Sequence, residues 1–460
     1  MVEYDLIVIG SGPGGYVAAI RAAQLGMKTA VVEKSDIGGI CLNWGCIPSK
    51  ALIRNAEIIN LLGRVDEFGI ELSGFNYDFG KAIDRSRKVV KKLTKGVEFL
   101  LKKNNVACFQ DSAVLEDAHT VNLVNTNEKL FGENIILATG ARPRNIPGLD
   151  IDRKTIITSR EALEFKDVSD RVAIIGGGAV GVEFGYVYSQ YGAQVTIVEL
   201  EHRIVPTEDE EISDYLQKSL EKYGIKVKTN TRFESIQVEN GEATLSILEN
   251  GESSVIKADR VLVAVGMTGN IEELGLEGVG VDIDKGYINI DSNMQTNISG
   301  IYAIGDVTGK MLLAHVASAQ GVFVVESIAG LTPAKLDYDL MPRAIYCHPQ
   351  VASFGLTENQ AREKGYELNI GRFPLSASGK AIAMGETEGM VKVVAEKEIG
   401  DILGVHMIGS EVTELLGEIG MARMLESTTE ELGWLTHPHP TISESIKEAA
   451  LDAQGRAVHI

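Results

Sequence analysis

The chain has 460 residues, of which 44% are hydrophobic and 23% are charged, and its formal net charge at pH 7 is −20. This is an ordinary globular composition with length for several domains, so it excludes disordered and fibrous classes. Because an acidic surface repels phosphate backbones and anionic lipids, we expect no nucleic-acid partner and no membrane binding.

The start of the chain and its cysteines predict a soluble, cytoplasmic protein. An apolar run at residues 4–9 lies almost at the first residue, which leaves no room for a secretory signal. No apolar stretch approaches the about 18 residues of a membrane-spanning helix. The four cysteines, Cys41, Cys46, Cys108 and Cys347, would stay reduced in the cytoplasm unless a pair among them cycles.

Two segments 166 residues apart predict the same strand–turn–helix–strand unit. In each, an apolar strand enters a Gly-x-Gly-x-x-Gly turn, a helix follows, and a second strand ends at an acid. The turn glycines are Gly10, Gly12 and Gly15 in the first copy and Gly176, Gly178 and Gly181 in the second; the acids are Glu33 and Glu199. The spacing from first glycine to acid is the same in both copies.

This unit has the physical features of a dinucleotide-binding site. The first glycine permits a tight turn, the second lets the backbone approach a pyrophosphate, and the third lets helix and strand pack closely. The helix N-terminus offers amide hydrogens and a positive dipole end to the phosphates. The acid accepts a hydrogen bond from a ribose 2′-hydroxyl and repels a 2′-phosphate. The two copies therefore predict two dinucleotide sites, and Glu199 favours NAD over NADP.

Three further apolar strands break at glycine, where parallel strands end and nucleotides bind. They place Gly140, Gly266 and Asp306 at predicted strand ends. Residues 142–148, rich in proline and arginine, predict a crossover between domains.

Cys41 and Cys46 are the only closely spaced thiols, and three interpretations compete for them. A zinc site needs further ligands, and the other cysteines and histidines are distant in sequence, so we expect no metal. A structural disulfide would close too short a loop to stabilise the fold much. A redox-cycling pair fits best. Residues five apart on a regular helix have Cα atoms about 8.7 Å apart, whereas a disulfide tolerates about 7 Å, so the segment must bend, and Gly45 permits a bend.

A block near the C-terminus, residues 434–444, contains His437 and His439, each followed by proline, and Glu444. Proline fixes the backbone around both rings. A carboxylate five residues from His439 could orient an imidazole that serves as acid or base for thiol chemistry. The alternative is a stiff surface loop with ordinary histidines.

The order of these motifs over nearly the whole chain resembles the flavin-dependent pyridine nucleotide–disulfide oxidoreductases. The segment from Gly39 to Lys50 is the most specific match, and the His439 block is the next. The resemblance implies that FAD binds the first repeat and NAD the second. It also implies that Cys46 lies against the flavin while Cys41 exchanges with a substrate dithiol.

The resemblance also assigns roles to individual residues. It pairs Lys50 with Glu183 beside the flavin ring, places Asp306 at the ribityl–phosphate region, and has His439 and Glu444 act on the disulfide of the other subunit of a homodimer. The expected FAD residues are Gly10, Gly12, Gly15, Glu33, Lys50, Gly140, Asp306 and Ala314, and the expected NAD residues are Gly176, Gly178, Gly181, Glu183, Glu199 and Gly266.

The resulting prediction is an α/β chain with two Rossmann-like dinucleotide-binding domains and a C-terminal α+β dimerisation domain. The FAD domain is expected at 1–143 and 268–336, the NAD domain at 144–267 and the interface domain at 337–460. The resemblance is strongest to members that oxidise a dihydrolipoyl group carried on a partner protein of 2-oxo acid dehydrogenase or glycine cleavage complexes. The alternatives are an NADP-dependent glutathione-type reductase and a non-catalytic, dinucleotide-binding redox sensor.

Overall fold

A computed structural model of the chain describes residues 2–460, which form two compact units. The first unit holds the chain up to Ala51, together with Ala82–Asn145 and Gly266–Leu336. The second unit comprises Leu52–Lys81, Ile146–Val265 and Asp337–Ile460. The predicted interface domain and all but the ends of the predicted NAD domain lie in the second unit, so the division into three domains stays a prediction.

The strands follow in chain order. They are β1 (Val2–Ile9), β2 (Thr29–Glu33), β3 (Ala107–Gln110), β4 (Ala113–Leu115), β5 (Thr120–Leu123), β6 (Lys129–Leu137), β7 (Ala141–Pro143), β8 (Ile156–Ile157), β9 (Arg171–Ile175), β10 (Gln194–Val198), β11 (Lys226–Lys228), β12 (Thr231–Glu239), β13 (Glu242–Glu249), β14 (Glu252–Ala258), β15 (Arg260–Val263), β16 (Met267–Gly269), β17 (Ile283–Asp284), β18 (Tyr287–Ile288), β19 (Ile301–Ala303), β20 (Arg343–Ile345), β21 (Gln350–Gly355), β22 (Leu368–Pro374), β23 (Met390–Glu396) and β24 (Ile402–Gly409).

The α-helices are interspersed with these strands. They are α1 (Pro13–Gln24), α2 (Gly39–Trp44), α3 (Cys46–Leu62), α4 (Phe79–Lys103), α5 (Ser159–Ala162), α6 (Ala179–Gln190), α7 (Glu210–Lys222), α8 (Leu276–Val279), α9 (Ala314–Ile328), α10 (Glu358–Glu363), α11 (Gly379–Met384), α12 (Leu416–Met424), α13 (Thr429–Trp434) and α14 (Glu444–Ala453). Short 3₁₀ turns lie at Val65–Phe68, Gly305–Thr308, Tyr338–Leu340, Leu375–Ala377 and Val412–Leu415. Within residues 2–460, no helix is both long and apolar enough to cross a membrane.

The first unit is built on a sheet with the strand order β3-β2-β1-β6-β5-β4, and β19 also pairs with β6. The pairs β3·β2, β2·β1, β1·β6 and β6·β19 are parallel, so the carboxyl ends of these strands meet at one edge. Strand β1 is buried on both faces because its residues alternate between two cores. Leu6 and Val8 pack with the alanines of α1, whereas Ile7 and Ile9 face the core on the other side.

The second unit contains three sheets. The parallel sheet β11-β10-β9-β15-β8 repeats the arrangement of the first unit, with β9 at the position of β1. The strands β12-β13-β14 form an antiparallel meander, and β20-β21-β24-β23-β22 form an antiparallel sheet against which α14 packs. The predicted fold class is confirmed. Each unit contains one Rossmann-like sheet, and the C-terminal region is α+β.

Candidate active site

The first glycine turn joins β1 to α1. At two of its three glycines, a side chain would clash with the protein's own backbone. Gly10 has φ +101°, and a Cβ there would lie 2.3 Å from the carbonyl oxygen of Ala138. A Cβ at Gly15 would lie 2.0 Å from the carbonyl oxygen of Gly10. At Gly12, by contrast, a Cβ would meet no atom of the described chain within 4 Å. The space beside Gly12 is therefore left open to a ligand.

The second glycine turn, between β9 and α6, repeats this geometry. Gly176 has φ +108°, and its Cβ would lie 2.3 Å from the carbonyl oxygen of Ala264. A Cβ at Gly181 would lie 2.0 Å from the carbonyl oxygen of Gly176, while beside Gly178 the described residues again leave open space. The helices that follow begin without a side-chain cap at Gly12 or Gly178, so their first amide hydrogens face that space. Both turns thus fit a pyrophosphate.

The acids at the ends of β2 and β10 bind the turns that precede them. In the first copy, Glu33 Oε2 accepts hydrogen bonds from the Ser11 amide at 2.8 Å and the Ser11 hydroxyl at 2.7 Å. In the second copy, Glu199 Oε2 accepts a hydrogen bond from the Gly177 amide at 2.6 Å. Each carboxylate therefore holds its glycine turn in place. The sequence predicted only a contact with ribose and did not reveal this second role.

Gly140, Asp306 and Ala314 lie in the first unit with the first glycine turn. Gly140 has φ +72°, and Ala314 is the first residue of α9, which begins without a side-chain cap. Burial raises the pKa of the Asp306 carboxyl group to about 6, and no hydrogen bond joins this carboxyl to the rest of residues 2–460. A half-buried carboxyl without a partner from the described chain fits a group that accepts hydrogen bonds from a ligand's hydroxyls.

Three predicted site residues fall on opposite sides of the division between the units. Lys50 lies in the first unit and Glu183 in the second, so their pairing beside a flavin stays a prediction. Glu183 is buried in α6, where its Oε1 accepts a hydrogen bond from the Tyr346 amide at 2.9 Å. Gly266, with φ +98°, lies in the first unit rather than with the second glycine turn.

The two cysteines lie on two helices separated by one glycine. Helix α2 ends at Trp44, Gly45 leaves helical geometry with φ −143° and ψ −112°, and α3 begins at Cys46. The bend expected at Gly45 is present. The hydrogen bond with Cys46, followed by burial, raises the pKa of the Cys41 thiol, and the charge of Lys50 acts in the opposite direction. The structure therefore brings the two thiols together, as a redox pair requires.

The segment between the cysteines is held from several sides. A Cβ at Gly39 would lie 2.7 Å from the Gly12 Cα, so the glycine turn and α2 are in backbone contact. The side-chain amide of Asn43 donates hydrogen bonds to the carbonyl oxygens of residues 37 and 39. From α4, Arg87 Nη1 donates a hydrogen bond of 2.8 Å to the Asn43 carbonyl, and its guanidinium lies 5.0 Å from the centre of the Trp44 ring. No sequence motif pointed to Arg87, which is distant from the cysteines along the chain.

The two histidines of the C-terminal block have different surroundings. His439 Nδ1 lies 2.9 Å from Glu444 Oε1, and its side chain is 79% exposed. Burial raises the pKa of Glu444, but hydrogen bonds from the Thr441 amide and His439 outweigh burial, so this pKa lies below its ordinary value. His437 is buried, and a hydrogen bond with Glu418 raises its pKa. Of the two rings, His439 is the one that an external group can reach.

The chain matches known proteins along most of its length. Residues 4–321 match the family described as pyridine nucleotide-disulphide oxidoreductase, and residues 341–450 match the dimerisation domain of the same description. The chain belongs to this family. The resemblance predicted from the cysteine and glycine motifs is confirmed, and the protein is a flavin-dependent, NAD-linked disulfide oxidoreductase.

Individual members of the pyridine nucleotide-disulphide oxidoreductase family are similar over almost their full lengths. A dihydrolipoyl dehydrogenase of Chlorobaculum parvum is 48% identical over 455 residues, covering 98% of this chain and 97% of that protein. One of Bacillus subtilis is 44% identical and covers 99% of both chains. The flavoprotein disulfide reductase RclA of Escherichia coli, induced by HOCl and solved as a Cu(II) complex, has TM-score 0.88 at 26% identity, covering 98% of this chain and 99% of that one.

Proposed function

We propose that the protein oxidises a dihydrolipoyl group carried on a partner protein and passes the electrons to NAD. The observation that carries this proposal is the thiol pair Cys41–Cys46, two interacting thiols of which the first lies on a helix that contacts the first dinucleotide turn through Gly39. The similar proteins named dihydrolipoyl dehydrogenase, at 44–48% identity, point to the same substrate class.

Both cofactors fit sites whose geometry the chain provides. We place FAD at the first turn with Gly10, Gly12, Gly15, Glu33, Lys50, Gly140, Asp306 and Ala314, and NAD at the second with Gly176, Gly178, Gly181, Glu183, Glu199 and Gly266. When bound, FAD supplies a two-electron acceptor that communicates between the thiol pair and NAD. The open space at Gly12 and Gly178, and the uncapped helix ends behind it, support this assignment.

The cysteines exchange electrons with the substrate by two thiolate attacks. A substrate thiolate attacks Cys41 Sγ of the oxidised pair, forms a mixed disulfide and releases Cys46 as a thiolate. The second substrate thiolate then displaces Cys41 and closes the oxidised lipoyl ring, so the substrate loses two electrons and the cysteine pair gains them. In this proposal Cys46, released first, would supply the electrons that bound FAD accepts.

His439 and Glu444 manage the substrate's protons. His439 Nε2 takes the proton of the attacking dithiol, while Glu444 holds Nδ1 and balances the positive charge that develops on the ring. In this proposal the chain works as a homodimer, in which this histidine serves the cysteines of the other subunit. The match to a dimerisation domain over residues 341–450 supports the dimer. Location in the cytoplasm is a prediction from the sequence.

The surroundings of the second turn favour NAD over NADP. In this proposal Glu199, whose Oε2 accepts a hydrogen bond from the Gly177 amide, faces the ribose of the bound nucleotide. Arg203, the nearby cation that could bind a 2′-phosphate, is half-buried and donates to His202 and to the Pro206 carbonyl. A 2′-phosphate would therefore meet a carboxylate.

The test compares substrates and one pair of variants. We expect NAD reduction with dihydrolipoamide, little with reduced glutathione, and a strong preference for NAD over NADP. Cys46→Ser should abolish dithiol oxidation yet retain FAD, whereas the control Cys108→Ser removes a thiol outside the pair and should keep turnover. Normal turnover in Cys46→Ser, or faster turnover with glutathione and NADP, would contradict the proposal.

A further inference from the structure

Helix α4 carries a concentration of positive charge on an acidic protein. From residue 85 to residue 103 the chain has eight lysines and arginines and a single acid, Glu98, although its formal net charge is −20. Lys88, Lys91, Lys92 and Lys95 are exposed, and no ion pair joins any of them to the rest of residues 2–460. Their charge is not used to stabilise this fold, at least within the described chain.

The four lysines share one side of the helix. Its opposite side is buried through Ile83, Val90, Val97 and Leu101. With 3.6 residues per turn, positions 88, 91, 92 and 95 lie together on the side that faces solvent. We call this side, with Phe99 one turn further, the lysine face.

Phe99 distinguishes the lysine face from an ordinary solvated helix surface. Its side chain is 63% exposed and lies one helical turn after Lys95, so an aromatic ring adjoins the row of charges. Aromatic side chains in contact surfaces act as anchors for a protein partner, while charges around them select its sign and orientation.

The lysine face begins at the redox segment. Arg87, one residue before Lys88, bonds to the carbonyl of Asn43 between the two cysteines. Arg87, Lys91 and Lys95 follow one another at i+4 spacing, and Lys95 lies about 12 Å along the helix from Arg87. A protein seated on this face would rest within a few turns of helix from the thiols with which it has to exchange.

We propose that the lysine face is the docking surface for an acidic protein domain that carries the dihydrolipoyl group. The inference rests on the proposed function, and it adds the charge of the partner and its place on the enzyme. The row of lysines attracts the acidic domain during encounter and orients it, and Phe99 contacts an apolar residue at the centre of its acidic surface.

The experiment uses the FAD-loaded protein and two synthetic peptides. Each peptide carries one lipoyl-lysine, flanked in one by four glutamates and in the other by four glutamines. Turnover of the reduced peptides gives a Glu/Gln ratio of kcat/KM, and fluorescence anisotropy of the labelled, oxidised peptides gives a ratio of affinities that needs no turnover. The variants are Lys91→Gln with Lys95→Gln and, as a control that removes the same charge from the same helix, Lys102→Gln with Lys103→Gln.

Exposed ion pairs each change an equilibrium by about two- to fivefold. We therefore expect the wild-type protein to prefer the glutamate peptide about tenfold at low salt. The Lys91/Lys95 variant should lose most of this preference and the Lys102/Lys103 variant should keep it. In about 1 M salt the Debye length is about 3 Å, so the charges of peptide and protein are screened from each other and the preference should vanish.

Three outcomes would overturn the docking face: a wild-type ratio near one, equal losses in both double variants, or tighter binding to phosphatidylglycerol vesicles than to the glutamate peptide. Failure of the proposed function has a different signature. If free dihydrolipoamide is not oxidised while the binding ratio still depends on Lys91 and Lys95, the substrate assignment is wrong and the acidic docking face is supported.

Discussion

Replacing Arg87 by methionine tests whether the segment between the cysteines is held by α4. The change removes a 2.8 Å hydrogen bond from a charged donor to the Asn43 carbonyl, worth about 1.5 kcal/mol or more. It also removes a cation–π contact with Trp44, worth about 0.5–1 kcal/mol at a half-exposed site. We expect the free energy of unfolding to fall by about 2 kcal/mol.

The redox pair should register the same change. Because the structure holds the two thiols in contact, loosening the segment makes the sulfurs meet less often and favours the reduced form. If about 1.4 kcal/mol of the constraint acts on the pair, its exchange constant changes tenfold and its reduction potential becomes less negative by about 30 mV. Glutathione redox buffers, thiol trapping and mass spectrometry measure this potential.

Two further variants make the Arg87 experiment specific. Lys81→Met removes a charge from the same helix at a side chain that is 84% exposed, and it should leave the potential where it is. Arg87→Lys keeps the charge over the ring but loses the planar fork, and it should fall between wild type and methionine. If Arg87→Met and Lys81→Met have the same potential within about 5 mV, α4 does not position the pair and our reasoning is wrong.

Three other perturbations address the remaining parts of the site. In stopped-flow assays, Glu444→Gln should slow the dithiol half-reaction by about a hundredfold, because His439 loses its anionic partner. Electron transfer from NADH to a dye should persist. Equal losses in both reactions would contradict the role of His439 as proton carrier. Gly181→Ala places a Cβ 2.0 Å from the Gly176 carbonyl oxygen and so distorts the second glycine turn. The KM for NAD should rise by about tenfold while FAD is retained. An unchanged KM would contradict a nucleotide-binding role for this turn. The pKa of Asp306 is raised to about 6, so ionising this carboxyl above that pH destabilises the folded protein. In urea titrations, Asp306→Asn should therefore stabilise the apoprotein by about 3 kcal/mol at pH 7 and by much less at pH 4. A stability difference that does not depend on pH would refute the raised pKa.

Local spacing predicted the dinucleotide turns and the bend between the cysteines. The glycines at 10, 15, 176 and 181 are required by contacts within a few residues or with the adjacent strand, and such contacts leave a pattern in the sequence. The helix ending at Trp44 followed from covalent reach alone, because two sulfurs five residues apart cannot meet on a straight helix.

Contacts between distant parts of the chain left no such pattern. Arg87 approaches the Asn43 carbonyl only because α4 packs beside α2, and a backbone acceptor imposes no residue type that could be recognised. The proline pattern alone did not separate His437 from His439, and only the position of Glu444 and the family resemblance selected His439; in the structure, burial and the partner Glu418 distinguish the two rings. The pairing of Lys50 with Glu183, like the three-domain division, stays a prediction.

The contact of Gly39 with Gly12 links two properties that are usually varied one at a time. With a Cβ position only 2.7 Å from the neighbouring Cα, the two backbones pack directly against each other, and a side chain added at Gly39 would push on the glycine turn. With FAD at the first turn, as proposed, substitutions intended to retune the sulfur chemistry from this end of α2 should also alter how firmly the flavin nucleotide is retained. Directed-evolution screens on this protein should therefore follow both traits in the same clone.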